Sequence, residues 1–416
     1  MSDTAAAPAA RIVTLDILRG VAVMGILVMN INAFALPGPA YDNPRAFGGA
    51  SGADLAVWAT AFVLIDGKMR GLFSLLFGAS LLLVAERAEA RGHSAARVHY
   101  ARMAVLLVIG LLHLWLFWWG DILHHYALIG IIAFTMRKLA VPQLLAAAMC
   151  VLMVQIAVYA PIPADIYLAE RQIAAAPASP PAGALNIIAA YRPFFGVPGA
   201  RELAADLALH RADYATIAAD RFTQTQRTPF ALLSAIGAQT LAYMLIGMAA
   251  FRSGLLSGAW PAARYVRWAA LCFALALPAY LGLAWLDIST DFDMAAIALA
   301  VLPAGAVLQP VMMIGWACLI LFTARGQGWL VQRIAAAGRM AFSNYLGTTL
   351  VCTALFYGYG FGLYGLFSRA ALIPIAAGLC LAMLLWSKPW LARFRYGPME
   401  WLWRSAARGR WQPMRR

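Results

Sequence analysis

The chain has 416 residues, 63% of them hydrophobic and 12% charged, with a formal net charge of +14. Soluble domains carry roughly a quarter charged residues, so this chain lacks the polar surface to dissolve as a globule, and its hydropathy places it in lipid. The basic residues are scattered through loops rather than gathered on one face, which excludes a nucleic-acid binder.

Residues 1–10 are Ala-rich and read as a disordered tail. Apolar runs follow near 17–36, 69–86, 103–119, 122–136, 141–160, 230–251, 268–286, 300–323, 340–357 and 370–387. A span needs ~20 residues, so the runs predict an all-α integral membrane bundle of about ten transmembrane helices. Ala33-Phe34-Ala35 imitates a signal-peptide cleavage box, but the long run carrying Asn30 and Asn32 reads as an uncleaved helix. The stretch 54–66 is apolar over only 13 residues and is expected to be an outer interfacial or re-entrant helix. With that assignment the arginine-rich loop 86–102 falls inside, as the positive-inside rule demands. Both termini are then cytoplasmic, with 22 of 32 basic and 5 of 18 acidic residues on that side.

The resulting organisation has five spans within 11–160, a large periplasmic loop at 161–229, five spans within 230–387, and a basic cytoplasmic tail at 388–416. The periplasmic loop opens with a Pro/Ala-rich part (PASPPAG) and ends in an amphipathic helical part, with six arginines balancing six acids. The tail carries eight basic residues against one acid, with Trp390, Trp401, Trp403 and Trp411 interleaved, and is expected to lie against anionic headgroups. Cys150, Cys272, Cys318, Cys352 and Cys380 fall in apolar runs without CxxC or CxxH spacing. Neither a disulfide framework nor a metal site is expected.

Ionisable groups inside spans are costly and are functional candidates by default. Arg11 begins a constellation in which Asp16 and Arg19, three apart, can meet on one helical face. It reads either as a topological anchor with a local ion pair or as a cytoplasmic-side cation for the phosphates of a donor. Asn30 stands eleven residues further on, ~16 Å along the helix. His113 sits about ten residues into its run and can serve as a base near neutral pH, or as a histidine satisfied by a neighbouring helix. Asp121 follows; His124 and His125, at the helix mouth, are expected to face solvent, and Trp115, Trp118 and Trp119 to form the outer aromatic belt. Asp66, Lys68 and Arg70 open the second span as a charged cap or as the lining of an outer vestibule. Arg339 can be a snorkelling anchor, whereas Asn344 and Tyr345 are too deep for that alone.

At these residues the chain resembles the YeiB-like family of bacterial inner-membrane proteins, also known as domain of unknown function 418. The motifs are TLDILRGVAVMGILVMNINAF (14–34), GKMRGLFSLLFGAS (67–80), GLLHLWLFWWGDILHHYALIG (110–130), GRMAFSNYL (338–346) and FRYGPMEWLWR (394–404). Through LDxLRG in the first helix, that family is similar to the transmembrane acyltransferases, among them heparan-α-glucosaminide N-acetyltransferase and surface-glycan O-acyltransferases. The resemblance implies acyl-CoA as cytosolic donor and a periplasmic glycan or lipid as acceptor, and it favours catalytic readings of Arg19 and His113. It departs at Asn30, where the O-acyltransferases carry histidine, and at Thr348, where relatives often carry glutamine.

The expected function is therefore acyl transfer across a bacterial inner membrane. Arg19, Asp16, Arg339, Asn344 and Tyr345 would hold the donor, His113, Asp121 and Asn30 would act in catalysis, and Asp66, Lys68 and Arg70 would line the vestibule. A transporter or permease for a small solute or lipid is the alternative, and a membrane scaffold joined by polar side chains the blandest reading. The partners expected are the lipid bilayer, the donor and the acceptor.

Overall fold

The structure, a computed structural model, describes residues 12–326 and 328–416. The predicted tail 1–10 and Arg11 lie outside the described residues. Helix α1 (Val13–Ala35) leads through a short loop to α2 (Gly52–Leu64) and α3 (Lys68–Glu89). Then come α4 (Ala95–Leu116), α5 (Leu123–Thr135) and α6 (Val141–Tyr159). Four helices follow on the stretch read as a loop: α7 (Pro161–Ala175), α8 (Ala182–Phe195), α9 (Ala200–His210) and α10 (Tyr214–Thr225). The second half contains α11 (Thr228–Arg252), α12 (Ala262–Ser289), α13 (Met294–Val301) and α14 (Pro303–Thr323). It closes with α15 (Trp329–Arg339), α16 (Ala341–Phe356), α17 (Arg369–Arg393) and α18 (Pro398–Ala407).

Every apolar run of the sequence falls on a helix. Among the described residues, eight helical segments are long and apolar enough to cross a membrane: α1, α2–α3, α4, α6–α7, α11, α12, α13–α14 and α17. Helices α5 and α16 are apolar but have only 13 and 16 residues. Between α2 and α3 the chain turns at Gly67, whose φ of 67° is open to a residue without Cβ. Helix α2 packs against α12 and α17 rather than lying back along α3.

Helix α1 is central, in contact with α3, α14, α15, α16 and α17. Close crossings fix this arrangement. A Cβ on Gly78 would overlap the carbonyl of Met244, and one on Gly247 the carbonyl of Leu75, so α3 and α11 meet backbone to backbone. The α1–α15 crossing repeats the device, with Gly20 against the Ile334 carbonyl and Gly338 against that of Asp16. Small residues serve this purpose in lipid, where close packing rather than hydrophobicity joins helices.

Two stretches carry structure that apolar runs alone did not announce. Helix α7 continues directly from α6, with Pro161 in its first turn, where the missing N–H costs nothing. The tail packs onto the bundle. The indole N–H of Trp403 donates to the Arg102 carbonyl at 2.8 Å, Trp401 to Gln412 at 2.7 Å and Trp390 to Tyr396 at 2.9 Å. Trp411 alone of the four is largely exposed.

The single acid of the tail clasps α16. Glu400 accepts the backbone N–H groups of Phe342 at 2.8 Å and Ser343 at 3.2 Å, and the Ser343 hydroxyl. These N–H groups have no intrahelical partner, and a carboxylate there also meets the positive end of the helix dipole. Glu400→Ala is expected to destabilise the protein by about 1–2 kcal/mol, read as a lower melting temperature in detergent. An unchanged midpoint would show that the clasp adds nothing.

Candidate functional site

The polar site is built where α4 hands over to α5. Gly110 lets the backbone at His124 lie against α4, since a Cβ there would overlap the His124 nitrogen. In the turn between the helices, Asp121 Oδ2 accepts from His113 Nδ1 at 2.6 Å. Its Oδ1 accepts from His124 Nδ1 at 2.7 Å and from the His124 backbone N–H at 3.1 Å. All three side chains are buried. An ionised carboxylate only accepts, so each imidazole carries its proton on Nδ1 and presents a lone pair at Nε2. Both Nε2 atoms are buried without a protein partner. Two bases held by one acid is an arrangement suited to proton abstraction.

Tyr345 from α16 closes the site, its ring 5.6 Å from that of His113 and its buried hydroxyl unpartnered. It also lines an open cleft of about 240 Å³, with Val23, Ile26, Leu27, Asn30, Phe34, Thr348 and Thr349. Positions 19, 23, 26 and 30 recur at helical spacing, so Arg19 shares the cleft face of α1. The cleft descends to Val23, one turn above Arg19. Arg19 donates to Asp16 at 2.9 Å and to the Ser80 hydroxyl at 2.6 Å, so the ion pair read from spacing is formed.

The other expected residues are dispersed. Asn344 joins helices: its amide donates to Ala337 at 3.0 Å and Ser387 at 3.3 Å, and accepts from Trp386 at 2.9 Å. Arg339 reaches the tail carbonyl of Arg395 at 3.4 Å. The vestibule is split. Asp66 lines a second cleft, but Lys68 is 1% exposed, its ammonium on the Phe62 carbonyl and 3.5 Å from the Tyr280 ring centroid. Arg70 turns inward to Gln239 at 3.0 Å, part of a buried chain in which Gln239 and Tyr243 both donate to Gln309 at 3.2 Å.

Two expectations are corrected and one feature is added. His124 and His125 do not face solvent; both are 0% exposed, and His125 Nε2 meets the Thr240 hydroxyl at 3.0 Å. Trp118 is no belt residue, because it is buried and stacked on Phe34 at 4.0 Å. The glutamine chain was missed outright, although Gln155, Gln239 and Gln309 are visible as polar interruptions of apolar runs. His124 carried a signal too: acid and histidine three apart at a helix start is a capping spacing.

An all-helical membrane-type bundle with a buried His–Asp–His cluster beside a cleft on its central helix is the class of protein defined here. The chain belongs to the YeiB-like family. Its sequence is 33% identical over 399 residues to "Uncharacterized protein YeiB" of Escherichia coli K12, covering 95% of this chain and 96% of that protein. It is 30% identical over 424 residues to "Uncharacterized protein YxaH" of Bacillus subtilis 168, covering 97% and 96% respectively. A family model described as "Protein of unknown function (DUF418)" matches residues 250–410.

Proposed function

We propose that the protein is a transmembrane acyltransferase that takes an acyl group from cytosolic acyl-CoA and delivers it to an acceptor at the outer side of a bacterial inner membrane. The observation that carries this reading is the pair of buried, unpartnered Nε2 atoms held by Asp121 beside Tyr345. On this reading α5 and α16 complete ten spans, with both termini cytoplasmic, and the loop charges support that orientation. Arg19, at the inner end of the cleft face, receives donor phosphates. His113 Nε2 takes the proton of an acceptor hydroxyl or amine as its oxygen or nitrogen attacks the thioester carbonyl. The C–S bond breaks, and the CoA thiolate recovers the proton. Asp121 holds the imidazole and stabilises its charged form.

His113→Ala is expected to lower CoA release from acyl-CoA by purified protein roughly 10²–10⁴-fold, the usual worth of a general base. Release at the wild-type rate would remove His113 from the chemistry. Solute counterflow in proteoliposomes lacking acyl-CoA would instead support a transporter.

A further inference from the structure

At the ends that the proposed orientation places in the cytoplasm, α1, α4 and α18 bring four guanidinium groups together. Arg102 of α4 lies with its guanidinium carbon 4.0 Å from the centre of the Trp403 ring. The Trp403 indole N–H donates to the Arg102 carbonyl at 2.8 Å, so α18 is docked on α4 at this residue. Arg404 follows Trp403, and Arg408 stands about one helical turn further along. Arg404 lies 4.8 Å from the centre of the Tyr396 ring, and Arg408 donates to the Gln412 side chain. Arg19 approaches from α1, with 24% of its side-chain surface open. The charges acting on the Arg102 guanidinium are those of Arg404, Arg408 and Arg19, all of its own sign.

Two carboxylates stand nearby, and together they do not balance the group. Asp16 accepts from Arg19 at 2.9 Å, and Glu400 accepts from the start of α16. With both counted as fully ionised, the four guanidinium groups still leave an excess of positive charge. The Arg137–Glu89 pair, 3.7 Å apart, shifts that balance in neither direction. Like charges so placed repel, and a polyanion relieves them. Arg102 and Arg404 are half-buried and Arg408 is exposed, so a ligand reaches them from water without needing a closed cavity. The four side chains come from three helices and converge, which suits a compact polyanion better than a plane of lipid headgroups. Trp403, beside Arg102, belongs to the same packed cluster as Tyr345, which closes the imidazole site.

We propose that Arg102, Arg404 and Arg408 join Arg19 in holding the phosphates of a 3′-phosphorylated adenosine diphosphate, the polar end of the acyl-CoA donor. Guanidinium forks match phosphate oxygens two at a time. A pyrophosphate and a separate phosphate monoester present more charge than Arg19, already paired with Asp16, balances by itself. The ligand rests on the acyl-transfer reading, but the claim concerns binding and not turnover.

The test is calorimetric titration of purified full-length protein, in uncharged detergent, with CoA, dephospho-CoA and pantetheine. CoA is expected to bind most tightly and to weaken as salt is added. Dephospho-CoA should bind at least tenfold more weakly, and pantetheine not measurably. Arg102→Gln, Arg404→Gln and Arg408→Gln should each weaken CoA about tenfold or more, as loss of a hydrogen bond to a charged group does. Lys388→Gln, which removes an exposed cation bonded to Gln332, should leave CoA affinity unchanged. An equal loss in Lys388→Gln would reduce the cluster to a generally positive surface and overturn the proposal. Displacement of bound CoA by phosphatidylglycerol would assign the arginines to lipid headgroups and overturn it too. Unaltered CoA affinity in exposed Arg408→Gln and in Arg404→Gln sinks this site and leaves the acyl-transfer reading standing. Tight CoA binding through these arginines without any CoA release from acyl-CoA does the reverse.

Discussion

Asp121→Asn is expected to cut acyl transfer about 10²–10⁴-fold while the protein remains folded. The reason is the donor count at one side chain. Asp121 now accepts three N–H groups: Nδ1–H of His113, Nδ1–H of His124 and the His124 backbone N–H. An asparagine offers one accepting oxygen and an NH2 that donates. Whichever imidazole faces the NH2 must turn its Nδ1 into an acceptor, moving its proton to Nε2 and extinguishing that lone pair. Asp121→Ala is a harsher change, since it strands three buried donors at a cost of about 1–3 kcal/mol each. CoA release measured beside the melting temperature separates the two effects. If Asp121→Asn keeps wild-type turnover, the carboxylate does not set the tautomers and the base assignment fails with it.

Gly338→Ala is expected to be among the most damaging single changes at a residue remote from the imidazoles. A Cβ at 338 would land on the Asp16 carbonyl and the Gly20 nitrogen, both backbone atoms that cannot rotate away. Helices α1 and α15 must therefore separate, and Asp16 and Arg19 move with them. Overpacking of a tight contact costs about 1–3 kcal/mol, more when backbone must shift. The expected readout is loss of the monodisperse peak in size-exclusion chromatography, or a markedly lower melting temperature. Gly378→Ala is the control, because a Cβ there meets nothing within 4 Å. Equal behaviour of the two variants would mean that the crossing tolerates expansion.

The helices were legible because an apolar run is a signal carried along one dimension of the chain. Packing is not. His124 reads as a mouth residue two positions into a short helix, and only the docking of α5 on α4 at Gly110 buries it. Asp66, Lys68 and Arg70 read as one charged unit, yet the turn at Gly67 separates Asp66 from the helix, and positions 68 and 70 point about 200° apart. Lysine and arginine thus go to different partners. The pairing of Asp16 with Arg19 was readable because it is local, three residues on one helix. Asn344 was rightly seen as too deep for an anchor, but its engagement with α15 and α17 depends on where those helices lie. The tail's charge points to a surface, whereas the contact its one acid makes with α16 depends on how the chain folds back.

That clasp bears on how the protein is made. Helix α16 emerges from the ribosome before α18, so its first amide groups lack their carboxylate until Glu400 has been made. A nonsense mutation in the last few codons before Glu400 would leave every apolar helix intact but Tyr345 on a frayed support. A chain cut short there would present the start of α16 as an uncapped helix end, with its first amide groups open to water.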